Sequence, residues 1–360
     1  MKLKFGELFS GPGGIGYAAL NSNVRTKTEE FSFSHAWATD YDRDTCQTYS
    51  QNVVGKKQTK SVVCSDIRDL NVHRLKNVSP IDMLAFGFPC NDFSVVGEQK
   101  GINGAYGPLY KYAVRVLRAF KPDFFLAENV SGLRNSNDGQ AFKEILNELA
   151  GLGYNLVPHL YKFEEYGVPQ ARHRIIIIGV KNSCSVTFRV PSTSPYRKLD
   201  VTARNAIENP EIAADAFNHE LTNHAKHVVE RLGFIKPGQN AFNATLPRRL
   251  RLNVKGVKIS QIYKRLDPNK PAYTVTGSGG GGTHVYHWSE PRALTNRERA
   301  RLQTFPDSFQ FCGAKESVRK QIGMAVPPRG AKVILEALLK SIAGVDYEHI
   351  DNNIKTEVGV

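Results

Sequence analysis

The chain has 360 residues, 41% of them hydrophobic and 10% aromatic, enough to bury a substantial core and to divide into two domains. Its 48 Lys and Arg against 34 Asp and Glu give a formal charge of +14, which suits a nucleic acid or another anionic surface. Five cysteines with no Cys-x-x-Cys pair indicate neither a disulfide framework nor a zinc ribbon, and the lack of a signal-like start or a membrane-length apolar run leads us to expect a cytoplasmic protein with no membrane partner.

The first third alternates short apolar runs with helical patterns, the texture of a parallel α/β sheet. Strands are expected at Leu3–Phe9, His35–Thr39, Ser61–Cys64, Ile81–Phe86 and Phe124–Ala127, with helices starting at Ile15 and covering Asp42–Asn52 and Leu109–Phe120. The run Arg174–Val180 is too short for a membrane and too β-branched for a typical helix, so it reads as a late, fully buried strand. From about Asn182 to Pro291, Pro, Gly, Asn and basic residues rise and periodicity weakens, the mark of a second, loop-rich domain. Residues 181–270 hold 16 Lys and Arg against 7 Asp and Glu, so nine of the fourteen net charges fall in a quarter of the chain. Helical spacing returns over Leu294–Leu302 and Gly330–Leu339.

Chemistry is expected at strand ends, where open α/β sheets carry their sites. Phe9-Ser10-Gly11-Pro12-Gly13-Gly14-Ile15-Gly16 follows the first strand and opens a helix, as a glycine-rich cofactor turn does. Asp40 at the end of the second strand suits ribose hydroxyls, and Asp66 after the third suits an adenine amino group; on these residues alone a nicotinamide dinucleotide fits as well as S-adenosylmethionine. Cys90, after Gly87-Phe88-Pro89, is a thiol at the carboxyl end of a buried strand, and Glu128 in Glu128-Asn129-Val130 brings a carboxyl group to the same rim. Cys46 and Cys64, within a helix and a strand, read as inert and buried. In Gln170-Ala171-Arg172-His173-Arg174, period-2 alternation places Arg172 and Arg174 on one face, opposite His173. His219, His224 and His227 lack the partners of a recognised metal arrangement, and no metal is expected. Ser278–Gly282, with four consecutive glycines, permits close backbone approach.

Taken in order, these segments resemble the DNA (cytosine-5) methyltransferases, especially the compact bacterial enzymes of restriction-modification systems. The resemblance continues through Leu294-Thr295-Asn296-Arg297-Glu298, Leu302-Gln303-Thr304-Phe305-Pro306-Asp307 and Gln321-Ile322-Gly323-Met324-Ala325-Val326-Pro327-Pro328, so it spans nearly the whole chain. It implies a Rossmann-like S-adenosylmethionine-dependent fold, with residues 1–185 and 322–345 catalytic, 186–321 a smaller loop-rich target-recognition domain, and 346–360 a tail. It implies a cofactor site built by Phe9, Gly11, Gly13, Gly14, Asp40, Asp66 and Pro89, with Cys90 as nucleophile, Glu128 on ring nitrogen 3, and Arg172 and Arg174 positioning Glu128. Double-stranded DNA is the implied substrate, extruding one cytosine beneath a lid at Asn91–Gly107, with a companion restriction endonuclease and no obligate protein partner. Arg248, Arg249, Arg251, Lys255, Lys264 and Arg265 are expected to supply phosphate and base-edge contacts, with base contacts near Thr274, Gly279 and Gly280. One departure is Met324, where the family usually has Asn beside the cofactor. Three alternatives stay open at this point: a transfer-RNA cytosine methyltransferase, a nicotinamide-dependent oxidoreductase, and a catalytically dead DNA binder.

Overall fold

The computed structural model describes residues 1–55, 59–73, 75, 79–88, 109–133, 139–253 and 260–354. Pro89, Cys90, the Asn91–Gly107 segment and Lys255 lie outside the described residues. The chain divides into two compact units, one of residues 1–166, 173–197 and 328–360, the other of residues 167–172 and 198–327.

The first unit is an α/β sheet. In chain order it contains β1 (Lys2–Leu8), α1 (Gly14–Leu20), β2 (Asn23–Arg25), β3 (Glu30–Asp40), α2 (Arg43–Tyr49), β4 (Val62–Cys64), β5 (Met83–Gly87), α3 (Tyr110–Phe120), β6 (Phe124–Val130), α4 (Gln140–Ala150) and β7 (Tyr154–Lys162). The order across the sheet is β2-β3-β1-β5-β6, then a further strand β9 (His173–Lys181), then β7, with β4 also paired to β3. β1, β3, β4, β5 and β6 run parallel, whereas β9 is antiparallel to both β6 and β7, and β2 is antiparallel to β3. The sheet is therefore mixed rather than parallel throughout. The connection from β7 to β9 carries only a short turn at Phe163–Tyr166 and a brief excursion, with no crossover helix to bring the chain back in parallel.

β5, β6 and β9 are apolar without alternation because both faces are covered. On one face Leu8, Trp37, Phe86, Phe125, Ile175 and Ile177 pack with Val114 and Leu117 of α3 and Ile145 and Leu149 of α4. Glu7 points the other way, toward α1, where its carboxyl lies against Gly16. α9 (Pro328–Ala343) buries Ile334, Leu335, Leu338 and Leu339. Residues 349–353 are tied to the first unit: β12 (His349–Ile350) pairs antiparallel with β10 (Val190–Pro191), and Asn353 Oδ1 accepts from Leu160 N at 2.8 Å. Cys46 is buried in α2, but Cys64 ends β4 and is exposed, β4 being a three-residue strand paired, among the described residues, with β3 alone.

The second unit contains β8 (Gln170–Ala171), α5 (Ala203–Glu208), α6 (Lys226–Phe234), β11 (Ala272–Tyr273), α7 (Asn296–Leu302) and α8 (Lys315–Met324), joined by long irregular stretches. β8 and β11 pair in parallel. Four separate segments meet in its core. Gln170 donates Nε2 to Gln303 Oε1 at 2.9 Å and accepts from Val275 N at 2.8 Å, while Gln303 Nε2 donates to Ile322 O at 2.6 Å. α7 begins with a capping box, Thr295 and Glu298 each satisfying the other's backbone N–H. Gly323 packs backbone to backbone, since a Cβ there would lie 2.0 Å from Gly277 N.

Candidate active site

The strand order reverses between β1 and β5. From β1 the chain moves outward to β3 and β4, then returns to β5 on the opposite side, which makes the carboxyl edge at β1 and β5 the crevice where such sheets bind ligands.

The loop after β1 is bent by left-handed residues: Phe9 (φ 52°), Gly11 (φ 55°) and Gly13 (φ 99°). A Cβ on Gly13 would come within 2.5 Å of Val53 Cγ2 and 2.9 Å of Tyr49 Cδ2, so only glycine lets α1 start there. Among the described residues, a Cβ at Gly11 would meet nothing within 4 Å, so its outer side is open to them. Asp40, at the end of β3, ties the rim together: Oδ2 accepts from Gly11 N and Oδ1 from Asp42 N, each at 3.0 Å. Burial pushes its carboxyl above the ordinary range despite those amides and that of Tyr41. A carboxylate has about four acceptor sites, so capacity is left for a hydroxyl. Asp66 caps the turn after β4, and both its oxygens accept from the Arg68 side chain, which holds it at about 2.

The sequence reading passed over Tyr41. It follows Asp40 directly and is 60% exposed, an aromatic face standing at the rim. The available signal was an aromatic next to a strand-end acid.

β5 and β6 pair in register, Gly87 opposite Glu128. A Cβ on Gly87 would lie 3.0 Å from Glu128 Oε2, so the carboxyl group rests over the strand end that leads to Pro89 and Cys90. Asn129, buried, donates Nδ2 to Phe88 O at 3.2 Å and fixes the same strand end from the neighbouring strand. Arg174 Nε meets Glu128 Oε1 at 3.0 Å, with the two side chains only 12% and 13% exposed. His173 pairs instead with Glu164, Nε2 to Oε1 at 2.7 Å.

Arg172 does not join this group, which corrects the expected alternation. The residue lies between β8 and β9, where the chain leaves the second unit for the first, so a single-strand period does not run through it. Its Nη1 donates to Val275 O at 3.3 Å and its Nη2 to Gly323 O at 3.1 Å. It acts as a pin inside the second unit.

The expected DNA contacts separate by burial. Arg248 and Arg251 are exposed, and Arg251 gives one donor to Leu246 O at 3.1 Å. Arg249 pairs with Glu230. Lys264 lies over the Tyr273 ring at 4.8 Å. Arg265 is 5% exposed and gives its donors to His287 O, Leu232 O, Ile235 O and Glu290 O, so it is a structural pin and not a surface contact. Thr274 Oγ1 donates to Ala171 O at 2.8 Å, whereas Gly280 faces open space. Met324 is 60% exposed. His219 bonds Thr295 and His224 accepts from Ala293 N; among the described residues no three or more possible ligands cluster to hold a metal. No helix among the described residues is long and apolar enough to cross a membrane.

A mixed sheet with a glycine turn, two strand-end acids and an arginine-held glutamate around one switch point defines an α/β methyltransferase fold. The chain belongs to the C-5 cytosine-specific DNA methylase family, whose model matches residues 3–340. It is 55% identical to the type II methyltransferase M.BbvI of Brevibacillus brevis over 98% of this chain and 95% of that one. It is 37% identical to M.NgoFVII of Neisseria gonorrhoeae, covering 97% and 90%. Among solved structures, a prophage-encoded Escherichia coli protein described as a DNA modification methyltransferase aligns with a TM-score of 0.71 at 25% identity, over 95% of this chain and 99% of that one. The S. pombe Dnmt2 methyltransferase shares the fold with a TM-score of 0.62 at 16% identity, over 94% and 99%.

Proposed function

We propose that the protein methylates carbon 5 of one cytosine within a short motif of double-stranded DNA, as the modification half of a type II restriction-modification pair. The observation that carries this reading is the Glu128–Arg174 pair set over Gly87, three residues before Cys90, in a chain of the C-5 cytosine-specific DNA methylase family.

The residues present fit S-adenosylmethionine. The open side of Gly11 leaves room for it, Asp40 retains lone pairs for ribose hydroxyls, the exposed Tyr41 face suits adenine, and Asp66 can receive the amino group on lone pairs that Arg68 leaves. When bound, it supplies a methyl group on a positively charged sulfur that leaves as a neutral thioether.

Carbon 5 of cytosine is too weak a nucleophile to take that methyl group unaided. The Cys90 thiolate adds to carbon 6, and Glu128 holds or protonates nitrogen 3 so that the electron pair released into the ring is not left as uncompensated charge. Arg174 keeps the Glu128 carboxyl in place. Carbon 5 then forms its bond to the methyl group, a base takes the proton from carbon 5, and the returning electrons expel the Cys90 thiolate. Cys90 cannot reach carbon 6 inside a stacked duplex, so the cytosine is flipped out of the helix. The second unit supplies the DNA surface, with Arg248, Arg251, Gly279 and Gly280 nearest in character to that task.

Incubation with unmethylated genomic DNA and S-adenosylmethionine, followed by bisulfite sequencing, tests the proposal. Protection of one short motif by the wild type and none by Cys90→Ala is the expected result. A duplex carrying 5-fluorocytosine at that position should trap the wild type covalently, because fluorine cannot leave as a cation. Uniform deamination despite bound cofactor would overturn the reading.

A further inference from the structure

Among the buried arginines of the second unit, Arg265 and Arg297 are saturated by carbonyls. Arg265 meets four carbonyls at 2.7 to 3.1 Å, and Arg297 gives Nε, Nη1 and Nη2 to Phe217 O, Pro306 O and Phe309 O. Arg299 and Arg319 differ. Arg299 is 1% exposed; its Nε is 3.4 Å from Leu294 O, its Nη2 is 3.2 Å from His284 Nδ1, and among the described residues its buried Nη1 has no hydrogen-bond partner. Arg319, with a side chain 13% exposed, has a buried Nε without a partner, and its ion pair with Glu316 is a loose 3.8 Å to a carboxylate 74% exposed.

Both lie at the glycine loop. A Cβ on Gly279 would be 2.5 Å from Cζ and Nε of Arg319 and 2.8 Å from Cε1 of His284, so guanidinium and imidazole rest directly on this stretch of main chain. Gly280, Gly281 and Gly282 follow with φ of 96°, 54° and 88°, and among the described residues a Cβ on Gly280 or Gly281 would meet nothing within 4 Å. Burial and the two arginines push His284 down to about 3, so its ring is neutral and offsets neither charge. Lys315 adds a third positive charge, and Glu298 is committed to Arg292. Two like charges side by side, one fully buried and the other largely so, with donors unfilled, are costly unless an anion joins them.

We propose that the Ser278–Gly282 loop and Arg319, backed by Arg299, form a receptacle for one phosphodiester of bound DNA. The inference rests on the DNA-methyltransferase reading and deepens it. A guanidinium held against the main chain has no reach toward a base edge in a groove, whereas phosphate oxygens project from the duplex and can settle on a loop without side chains. Arg319 touches the phosphate; Arg299 is a positioning residue acting through His284.

The test is the salt dependence of binding to a duplex bearing the methylated motif, measured by fluorescence anisotropy for wild type, Arg319→Gln, Arg319→Lys and Ser278→Asp. Arg319→Gln should bind about tenfold more weakly and flatten the slope of log K against log salt by about 0.9, and Arg319→Lys should restore the slope. Ser278→Asp, at an exposed position that spares the core, should weaken binding by about tenfold or more through repulsion, so the proposal stays testable if Arg319→Gln fails to fold. The methylated motif should not change in any variant. A wild-type slope in Arg319→Gln, wild-type affinity in Ser278→Asp, or relaxed choice of one base would overturn the receptacle alone. A wild type that binds no DNA would overturn the proposed function and the receptacle with it.

Discussion

Arg174, not Arg172, holds the Glu128 carboxyl: Nε to Oε1 is 3.0 Å, while the Arg172 guanidinium is committed to Val275 O and Gly323 O. The two arginines should therefore fail differently. Glu128→Gln should lower kcat by roughly 10²- to 10⁴-fold, the range of a lost acid–base group. Arg174→Ala should lower kcat by about 10- to 100-fold with little change in KM for DNA, and Arg174→Lys should recover part of it. Arg172→Lys should instead lower the melting temperature, because one ammonium cannot serve two carbonyls spaced for a fork. Single-turnover kinetics with calorimetric melting separates the cases; an Arg172→Lys enzyme of normal melting temperature and poor kcat would show that the assignment is reversed.

Gly11 and Gly13 stand two residues apart with opposite surroundings. Gly13→Ala forces a Cβ to 2.5 Å from Val53 Cγ2 at φ 99°, and should destabilise the fold by about 1–3 kcal/mol. Gly11→Ala has open space and a φ of 55° that a single residue can adopt at about 1–2 kcal/mol, yet its methyl group stands where the cofactor is proposed to lie. Titration calorimetry should find S-adenosylmethionine binding weakened about tenfold or more in Gly11→Ala. Undiminished binding there would move the cofactor away from this loop.

How far these features were legible depends on what each residue's neighbours write into the sequence. β5, β6 and β9 are sandwiched on both faces, so burial appears as unbroken apolar runs, and the position of Gly87 at the end of β5 follows from them, whereas β6 runs on to Val130 and carries Glu128 inside the strand, two residues short of its end. Arg172 misled because alternation presumes one strand, and the chain changes units at that residue. Arg265 misled because basic composition does not distinguish a solvated guanidinium from one saturated by carbonyls 22 to 33 residues away. α4 was missed although Phe142, Ile145, Leu146 and Leu149 keep helical spacing, and the antiparallel placing of β9 is a tertiary fact without a local signal. Cys90 was read from its motif, and it lies outside the described residues.

Glu7 is 2% exposed, beside Tyr49 and Gly16, and burial raises its carboxyl from 4.5 to about 8. The folded chain thus binds a proton at Glu7 that the unfolded chain has released between those values. Its contribution to stability is complete below pH 4.5 and is lost as pH rises toward and through 8. His35 and His159, each lowered by burial to about 4, act in the opposite sense: their contribution is present above about 6.5 and lost as pH falls toward 4. Glu7→Gln should remove the alkaline loss while leaving the acid limb in place, and above pH 8 should be more stable than wild type, on the order of a few kcal/mol. Urea unfolding from pH 5 to 9 reads this directly; parallel alkaline limbs for wild type and Glu7→Gln would assign the loss to other groups.

Arg297 is the deepest pin of the second unit. Fully buried in α7, it gives Nε to Phe217 O at 2.9 Å, Nη1 to Pro306 O at 3.1 Å and Nη2 to Phe309 O at 2.7 Å, closing two irregular segments onto the helix. Because those segments have little regular structure of their own, the fork substitutes for a ladder. Arg297→Ala leaves three carbonyls without this donor and a cavity, and should cost about 3 kcal/mol or more; Arg297→Lys should cost nearly as much, since an ammonium cannot span three directions from one stem. Hydrogen exchange should localise the loss: amides of residues 217–218 and 306–311 should lose protection while those of β1, β5 and β6 keep theirs. Equal loss of protection in those strands would mean that the second unit's stability is not separable from that of the sheet.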